Sequence, residues 1–266
     1  MLCRAAAENK VWLVGGSVPE AGKDGGVYNT CIVVGPSGRI VAKHRKVHLF
    51  DIDVPGGITF KESDTLSPGD SITTVKTPFG TIGVGICYDM RFPELSMAMR
   101  AAGSVLLCFP GAFNMTTGPA HWELLQRARA LDNQVHGKRG TQYSLLRRTT
   151  KARATEHTLS LVFPTFCAVT ARHIVLDIIA GCPAGMKPLL CLCYVVTASP
   201  ARNPDSKYQA WGHSSIVDPW GGVVATTEHE KAMLVAEVDV GRVAEVRTSI
   251  PVSLQKRPDL YRLELP

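Results

Sequence analysis

The run Gly83-Val84-Gly85-Ile86-Cys87-Tyr88-Asp89-Met90-Arg91-Phe92-Pro93-Glu94 constrains the fold of this chain more than any other. It reads as an apolar strand that breaks into a polar turn and passes into a helix. The rest of the chain keeps the same alternation. Runs at 11–14, 29–34, 40–43, 72–77, 81–86 and 105–109 suit strands, several of them β-branched and separated by turn signals such as Pro36-Ser37-Gly38. Runs at 93–102 and 121–133 suit helices, and a strand is expected to begin at Tyr194. No internal repeat or polar linker divides the chain. Its 266 residues, 45% of them hydrophobic, can bury a large core in one domain or two small ones.

Cys87 stands where that strand meets its turn, a place where a thiol can be both held and reached. A free cysteine in an apolar strand is ordinarily an inert core residue with a pKa of about 8.5. The setting favours chemistry instead. Gly83 and Gly85 leave room for close backbone approach, and the N–H groups that open the following helix can point toward the thiol. Upstream, Lys43-His44-Arg45-Lys46-Val47-His48-Leu49-Phe50 supplies a cation in Lys46. Attack on an amide carbonyl needs a thiolate, a cation or N–H donors for the developing oxyanion, and a carboxylate to move protons.

These two stretches resemble the cysteine and lysine motifs of the nitrilase-like carbon-nitrogen hydrolases. Asp51-Ile52-Asp53-Val54-Pro55, Phe60-Lys61-Glu62-Ser63, Pro110-Gly111-Ala112-Phe113-Asn114 and Thr117-Gly118-Pro119-Ala120-His121-Trp122-Glu123 are similar to the omega-amidase branch. So are Thr197-Ala198-Ser199-Pro200-Ala201-Arg202 and Trp211-Gly212-His213-Ser214, and the resemblance covers about 11–135 and 194–262. It implies an α/β fold, a four-layer α-β-β-α sandwich of the nitrilase type, usually dimeric. It implies Cys87 as nucleophile, Lys46 as the cation on the tetrahedral intermediate and the Tyr88 backbone N–H as a second oxyanion donor. Glu62 matches a second glutamate that orients substrate, against the alternative of a solvated loop charge. The implied reaction is hydrolysis of the terminal amide of a dicarboxylic monoamide, such as 2-oxoglutaramate or 2-oxosuccinamate, without a metal or organic cofactor.

One part of the family's set has no counterpart. The general-base glutamate of a Leu-Pro-Glu motif should precede Lys46, where only Glu8 and Glu20 occur. Glu20 ends Val18-Pro19-Glu20 in a stretch that resembles a later strand, and Glu8 belongs to the helix-like run Ala5-Ala6-Ala7-Glu8-Asn9-Lys10. The expectation is a carbon-nitrogen hydrolase domain over 1–262 that lacks its N-terminal part. A noncatalytic family fragment that binds substrate, or pairs with an intact subunit, is the alternative to an enzyme.

The second departure is 136–193, which interrupts the resemblance. Lys138, Arg139, Arg147, Arg148, Lys151, Arg153, Arg172 and Lys187 face only Glu156 and Asp177 there, so the net charge of +6 resides in this segment. It lacks the interleaved aromatics of a nucleic-acid binder. Cys167, Cys182, Cys191 and Cys193, with His157 and His173, do not have the usual spacing of zinc ligands. The apolar run 159–180 is broken as a membrane span by Pro164, Arg172, His173 and Asp177. With no sustained amphipathic period, the segment is expected to be a partly ordered surface excursion.

Smaller expectations complete the reading. Arg91 can pair with a substrate carboxylate or brace the turn through Glu94, and bracing is the commoner use of such a charge. His121, Trp122 and Glu123 open a helix near the site, with Trp122 as packing. Cys3, Cys31 and Cys108 have no disulfide-framework spacing and are expected to be reduced. The start lacks a signal-peptide pattern, so a cytoplasmic or mitochondrial protein is expected. Its partners would be a small dicarboxylic monoamide and a second copy of the chain, without nucleic acid or membrane.

Overall fold

In the computed structural model, the described residues are 1–53, 59–132, 159–162, 174–178, 193–252, 255–257 and 259–261. The β-branched runs near the start pair as an antiparallel meander of β1 (Trp12–Ala21), β2 (Val27–Val34) and β3 (Ile40–Arg45). Gly38, at φ 79°, closes the β2–β3 turn by donating its N–H to the Gly35 carbonyl. A small ribbon follows, β4 (Asp51–Asp53) against β5 (Thr59–Lys61).

A second sheet is built from β6 (Thr73–Thr77), β7 (Gly80–Val84) and β8 (Ser104–Pro110). Its numbering continues after two strands described below: β11 (Tyr194–Ala198), β12 (Ser215–Val217) and β13 (Val223–Thr226) complete it. The order is β13-β12-β11-β8-β7-β6, with β8 parallel to both β7 and β11. Every residue of β8 is buried, as befits a central parallel strand covered on both faces.

Period-two alternation along β8 separates two cores. Leu106 and Cys108 face the first sheet and pack with Val14, Cys31 and Val33. Leu107 and Phe109 face the other way, into a cluster with Met90, Met99 and Trp122. Met99 and Trp122 come from α2 (Pro93–Ala101) and α3 (Gly118–Asp132), which cover that face. On the outer face of the first sheet, Ala6 of α1 (Leu2–Asn9) packs on Leu13 and Val34. The layers are therefore helix, sheet, sheet, helix, the expected four-layer α-β-β-α sandwich. A further helix, α4 (Val240–Ser249), starts from Asp239, whose carboxylate accepts the Gly241 N–H, and sends Val243 into the inter-sheet core.

The expectation for 136–193 needs correction. Two strands of that segment, β9 (Leu159–Val162) and β10 (Ile174–Ile178), enter the first sheet rather than leaving the fold as a surface excursion. Together with β14 (Val235–Glu237) they give the order β14-β9-β10-β1-β2-β3, with Trp12, Leu13 and Val14 paired to Leu176, Val175 and Ile174. The physical reason is the free edge of β1, which offers unpaired backbone groups to any short apolar run brought beside it. The rest of the segment, including its basic residues, its histidines and its cysteines other than Cys193, lies outside the described residues. Among the described residues no helix is long and apolar enough to cross a membrane.

Candidate active site

Cys87 sits just past the end of β7 with φ at 49°, a left-handed backbone that costs a non-glycine residue about 1–2 kcal/mol. Asp89 holds it there. The Ile86 N–H donates to Asp89 Oδ2 at 2.9 Å, and the Asp89 N–H returns to the Ile86 carbonyl at 3.0 Å, closing the turn around the cysteine. A 3₁₀ turn runs over Cys87–Arg91, and α2 begins only at Pro93. The residues that follow the thiol, Tyr88 first, thus open a 3₁₀ turn and not an α-helix.

The glycines act differently from the sequence expectation. A Cβ on Gly83 would meet Leu107 at 2.8 Å, and one on Gly85 would meet the Phe109 ring at 2.5 Å, so both make room for side chains in the core. The close backbone approach comes from Gly111 after β8, where a Cβ would lie 2.9 Å from the Cys87 Cα. A Pro-Gly pair ending a buried strand was the signal available for it.

Asp89 is fully buried and saturated with donors. His44 Nε2 lies 3.1 Å from Oδ2, while the His48 N–H and His48 Nδ1 reach Oδ1 at 2.9 and 2.8 Å. Burial alone would raise its pKa, but the hydrogen bonds from His44 and His48, with that from Ile86, hold it down to about 2. His44 and His48 flank Lys46 in sequence, so this carboxylate ties the lysine segment to the cysteine turn.

Lys46 follows β3, with its N–H on the Asn29 carbonyl and its own carbonyl accepting from Gly69, both at 2.8 Å. Its side chain is 3% exposed, and Nζ donates to Glu62 Oε2. Glu62 also accepts the Phe50 N–H at 2.7 Å, and Asn29 Nδ2 approaches its other oxygen at 3.5 Å. At 9% exposure it is a buried, paired carboxylate, not a solvated loop charge. Lys46, Glu62, Cys87, Tyr88 and Arg91 all line one cleft of about 260 Å³, together with Phe113, Asn114, Thr117 and Tyr208 among others. The Cys87 thiol lies 3.8 Å from the Ala112 carbonyl, which accepts the Tyr208 hydroxyl at 2.7 Å.

Arg91 does not brace the turn through Glu94. Its Nη1 lies 3.1 Å from His121 Nδ1, its guanidinium stands 4.8 Å from the Phe113 ring centroid, and burial lowers its pKa. The brace is Arg129 of α3, whose Nε and Nη2 donate to the Met90 and Arg91 carbonyls at 2.8 and 3.0 Å. That partnership spans too much sequence for local pattern to reveal. Trp122 packs as expected, with Nε1 on the His213 carbonyl at 2.7 Å, whereas Glu123 is exposed and pairs with Arg127.

Neither early glutamate reaches the cleft. Glu8 is exposed on α1 beside Arg4, and Glu20 pairs with Lys43 at 2.8 Å and Arg45 at 3.3 Å. The Lys43 hydrogen bond, more than that from Thr30, holds Glu20 at about 2. Among the described residues, Glu62 is the only carboxylate lining the cleft. Cys31, Cys108 and Cys193 are buried, and desolvation pushes their thiols up, to about 12 for Cys31 and about 11 for Cys193.

The chain that holds these residues has relatives among known proteins. The carbon-nitrogen hydrolase family matches residues 1–143 and 191–248. This chain belongs to that family. It is 46% identical over 265 residues to omega-amidase NIT2 of Mus musculus, covering 99% of this chain and 74% of the relative. The identity is also 46% to omega-amidase NIT2 of Homo sapiens, over 266 residues, with the same shares covered. Among solved structures, Saccharomyces cerevisiae Nit3, described as a member of branch 10 of the nitrilase superfamily, superposes with a TM-score of 0.68. It is 36% identical, and the match covers 95% of this chain and 68% of that one. The C. elegans NitFhit protein gives 0.71 at 32% identity, covering 98% and 50%. The gap in the family match, 144–190, falls within the segment that interrupts the sequence resemblance.

Proposed function

We propose that this hydrolase acts on the terminal amide of a small dicarboxylic monoamide, with 2-oxoglutaramate or 2-oxosuccinamate as the type, through a Cys87 thioester. The observation that carries the reading is the shared cleft, which brings the thiol of Cys87 together with the buried Lys46–Glu62 pair. Cys87 sulfur attacks the amide carbon, and the negative charge that develops on oxygen is met by the Lys46 ammonium and the Tyr88 N–H. The carbon-nitrogen bond then breaks, ammonia leaves with a proton, and water opens the thioester to give the dicarboxylate and the free thiol. Arg91 is the cation for the distal carboxylate, since among the described residues no carboxylate pairs with it.

Glu62, the partner of Lys46, is the carboxylate available in the cleft, among the described residues, to carry a proton. The test couples ammonia release from 2-oxoglutaramate with intact-mass measurement after iodoacetamide. The expected result is ammonia release and an adduct that peptide mapping places on Cys87, with loss of both in Cys87→Ala. An unreactive Cys87 overturns the site.

The protein is also proposed to pair as a homodimer. Leu124 and Leu131 are exposed on α3, Trp220 is exposed as well, and the neighbouring Gly221 lies against Leu131. Light scattering in solution measures the mass, and a monomer at micromolar concentration would refute this.

A further inference from the structure

The Cys87 thiol has the Ala112 carbonyl as its acceptor, 3.8 Å from Sγ, and a loop remote in sequence fixes that carbonyl. The Tyr208 hydroxyl donates to the same oxygen at 2.7 Å, and the Trp211 N–H holds the next carbonyl, that of Phe113, at 2.8 Å. On the other side, the Gly111 N–H donates to the Ala198 carbonyl at 2.9 Å. The loop that carries Tyr208 is closed on itself. Gln209 Nε2 donates to the Asn203, Pro204 and Ser206 carbonyls at 2.8, 3.2 and 2.6 Å. Arg202 fixes the exit of the loop, with Nε on the Ala210 carbonyl at 3.1 Å and Nη2 on the Trp211 carbonyl at 3.2 Å. Tyr208 is 43% exposed and lines the cleft, while its hydroxyl is held against the backbone beside the thiol.

That contact has an electrostatic consequence for the nucleophile. The protonated thiol donates to the Ala112 carbonyl, a bond made to the uncharged form that opposes ionisation. The thiolate, which is the form that attacks, sets its charge against the negative end of the same carbonyl dipole. A hydroxyl proton on that oxygen counters the dipole and leaves it a weaker acceptor for S–H, so both effects favour the thiolate. We propose that Tyr208 is a positioning residue for the reaction, which acts through the Ala112 carbonyl to raise the share of Cys87 in its attacking form. This rests on Cys87 as the nucleophile and deepens that reading. The other titratable groups that line the cleft, Lys46, Glu62, Tyr88 and Arg91, come from other segments of the chain, so removal of the Tyr208 hydroxyl tests this contact apart from them.

The test follows iodoacetamide alkylation of Cys87 against pH in the full chain, with the adduct located by peptide mapping, in wild type and in Tyr208→Phe. The phenylalanine keeps the ring in the cleft wall and loses only the hydroxyl, and a thermal melt checks that the variant is folded. At pH 7 it should alkylate about three- to tenfold more slowly than wild type, the scale of one hydrogen bond. The gap should close as the pH is raised toward about 9, where the thiolate forms in both proteins. A loop that is merely loosened slows the reaction by one factor at every pH, or speeds it by opening the cleft. An equal or faster rate in Tyr208→Phe at pH 7, or a slowing that does not depend on pH, overturns the Tyr208 assignment alone. A wild-type Cys87 that alkylates at no pH overturns the nucleophile reading along with it.

Discussion

Replacing Asp89 with asparagine tests whether one buried carboxylate holds the lysine segment and the cysteine turn together. Its two oxygens each take two donors: Oδ1 from the His48 N–H and Nδ1, Oδ2 from the Ile86 N–H and His44 Nε2. An amide can accept on one side only. Because a backbone N–H sits on each oxygen, either orientation of the asparagine sets its NH₂ against a backbone donor that cannot reorient. Each buried donor left unpaired costs about 1–3 kcal/mol, and breaking a buried charged network costs about 3–5 kcal/mol in total. For a chain of this size that corresponds to a melting temperature lower by about 6–20 °C. The loss is pH-dependent. Asp89 is held at about 2 in the fold against 3.8 for the free side chain, so its contribution is complete above pH 3.8 and fades as pH falls toward 2. The gap between wild type and Asp89→Asn in urea unfolding should be widest at neutral pH and narrow below pH 4. Cys87 should also alkylate more slowly in the variant, since the turn that imposes its left-handed backbone is loosened. A variant within about 1 kcal/mol of wild type, with unchanged Cys87 reactivity, would refute the account.

Gly111→Ala places a methyl 2.9 Å from the Cys87 Cα, where backbone must move; iodoacetamide kinetics should slow, and unfolding should show a loss of about 1–3 kcal/mol. Peptide mapping after brief alkylation of the native protein at pH 7 should find Cys87 modified and Cys31, Cys108 and Cys193 protected, because burial keeps those three as thiols. Deleting 136–193 removes β9 and β10 from between β14 and β1 and bares the edge of β1, so soluble yield should fall. Retained yield with an unchanged melting temperature would show that these strands contribute nothing to the core.

The local pattern of the chain determined much of this architecture. β-branched runs and turn signals place three of the six strands of the first sheet and four of the six of the second, because pleat and turn preferences act between near neighbours. The motifs around Lys46, Glu62 and Cys87, through their resemblance to the family, also point to residues that line one cleft. Tertiary structure decided what depends on groups far apart in sequence. Arg129 takes the bracing role assigned to Arg91, Gly111 supplies the close approach assigned to Gly83 and Gly85, and two short runs in the interrupting segment find the open edge of β1. Asp89 and Tyr208 gain their meaning only in the fold. A hydrogen-bond partner across 41 residues, or across 96, is set by packing and leaves no periodic trace in sequence.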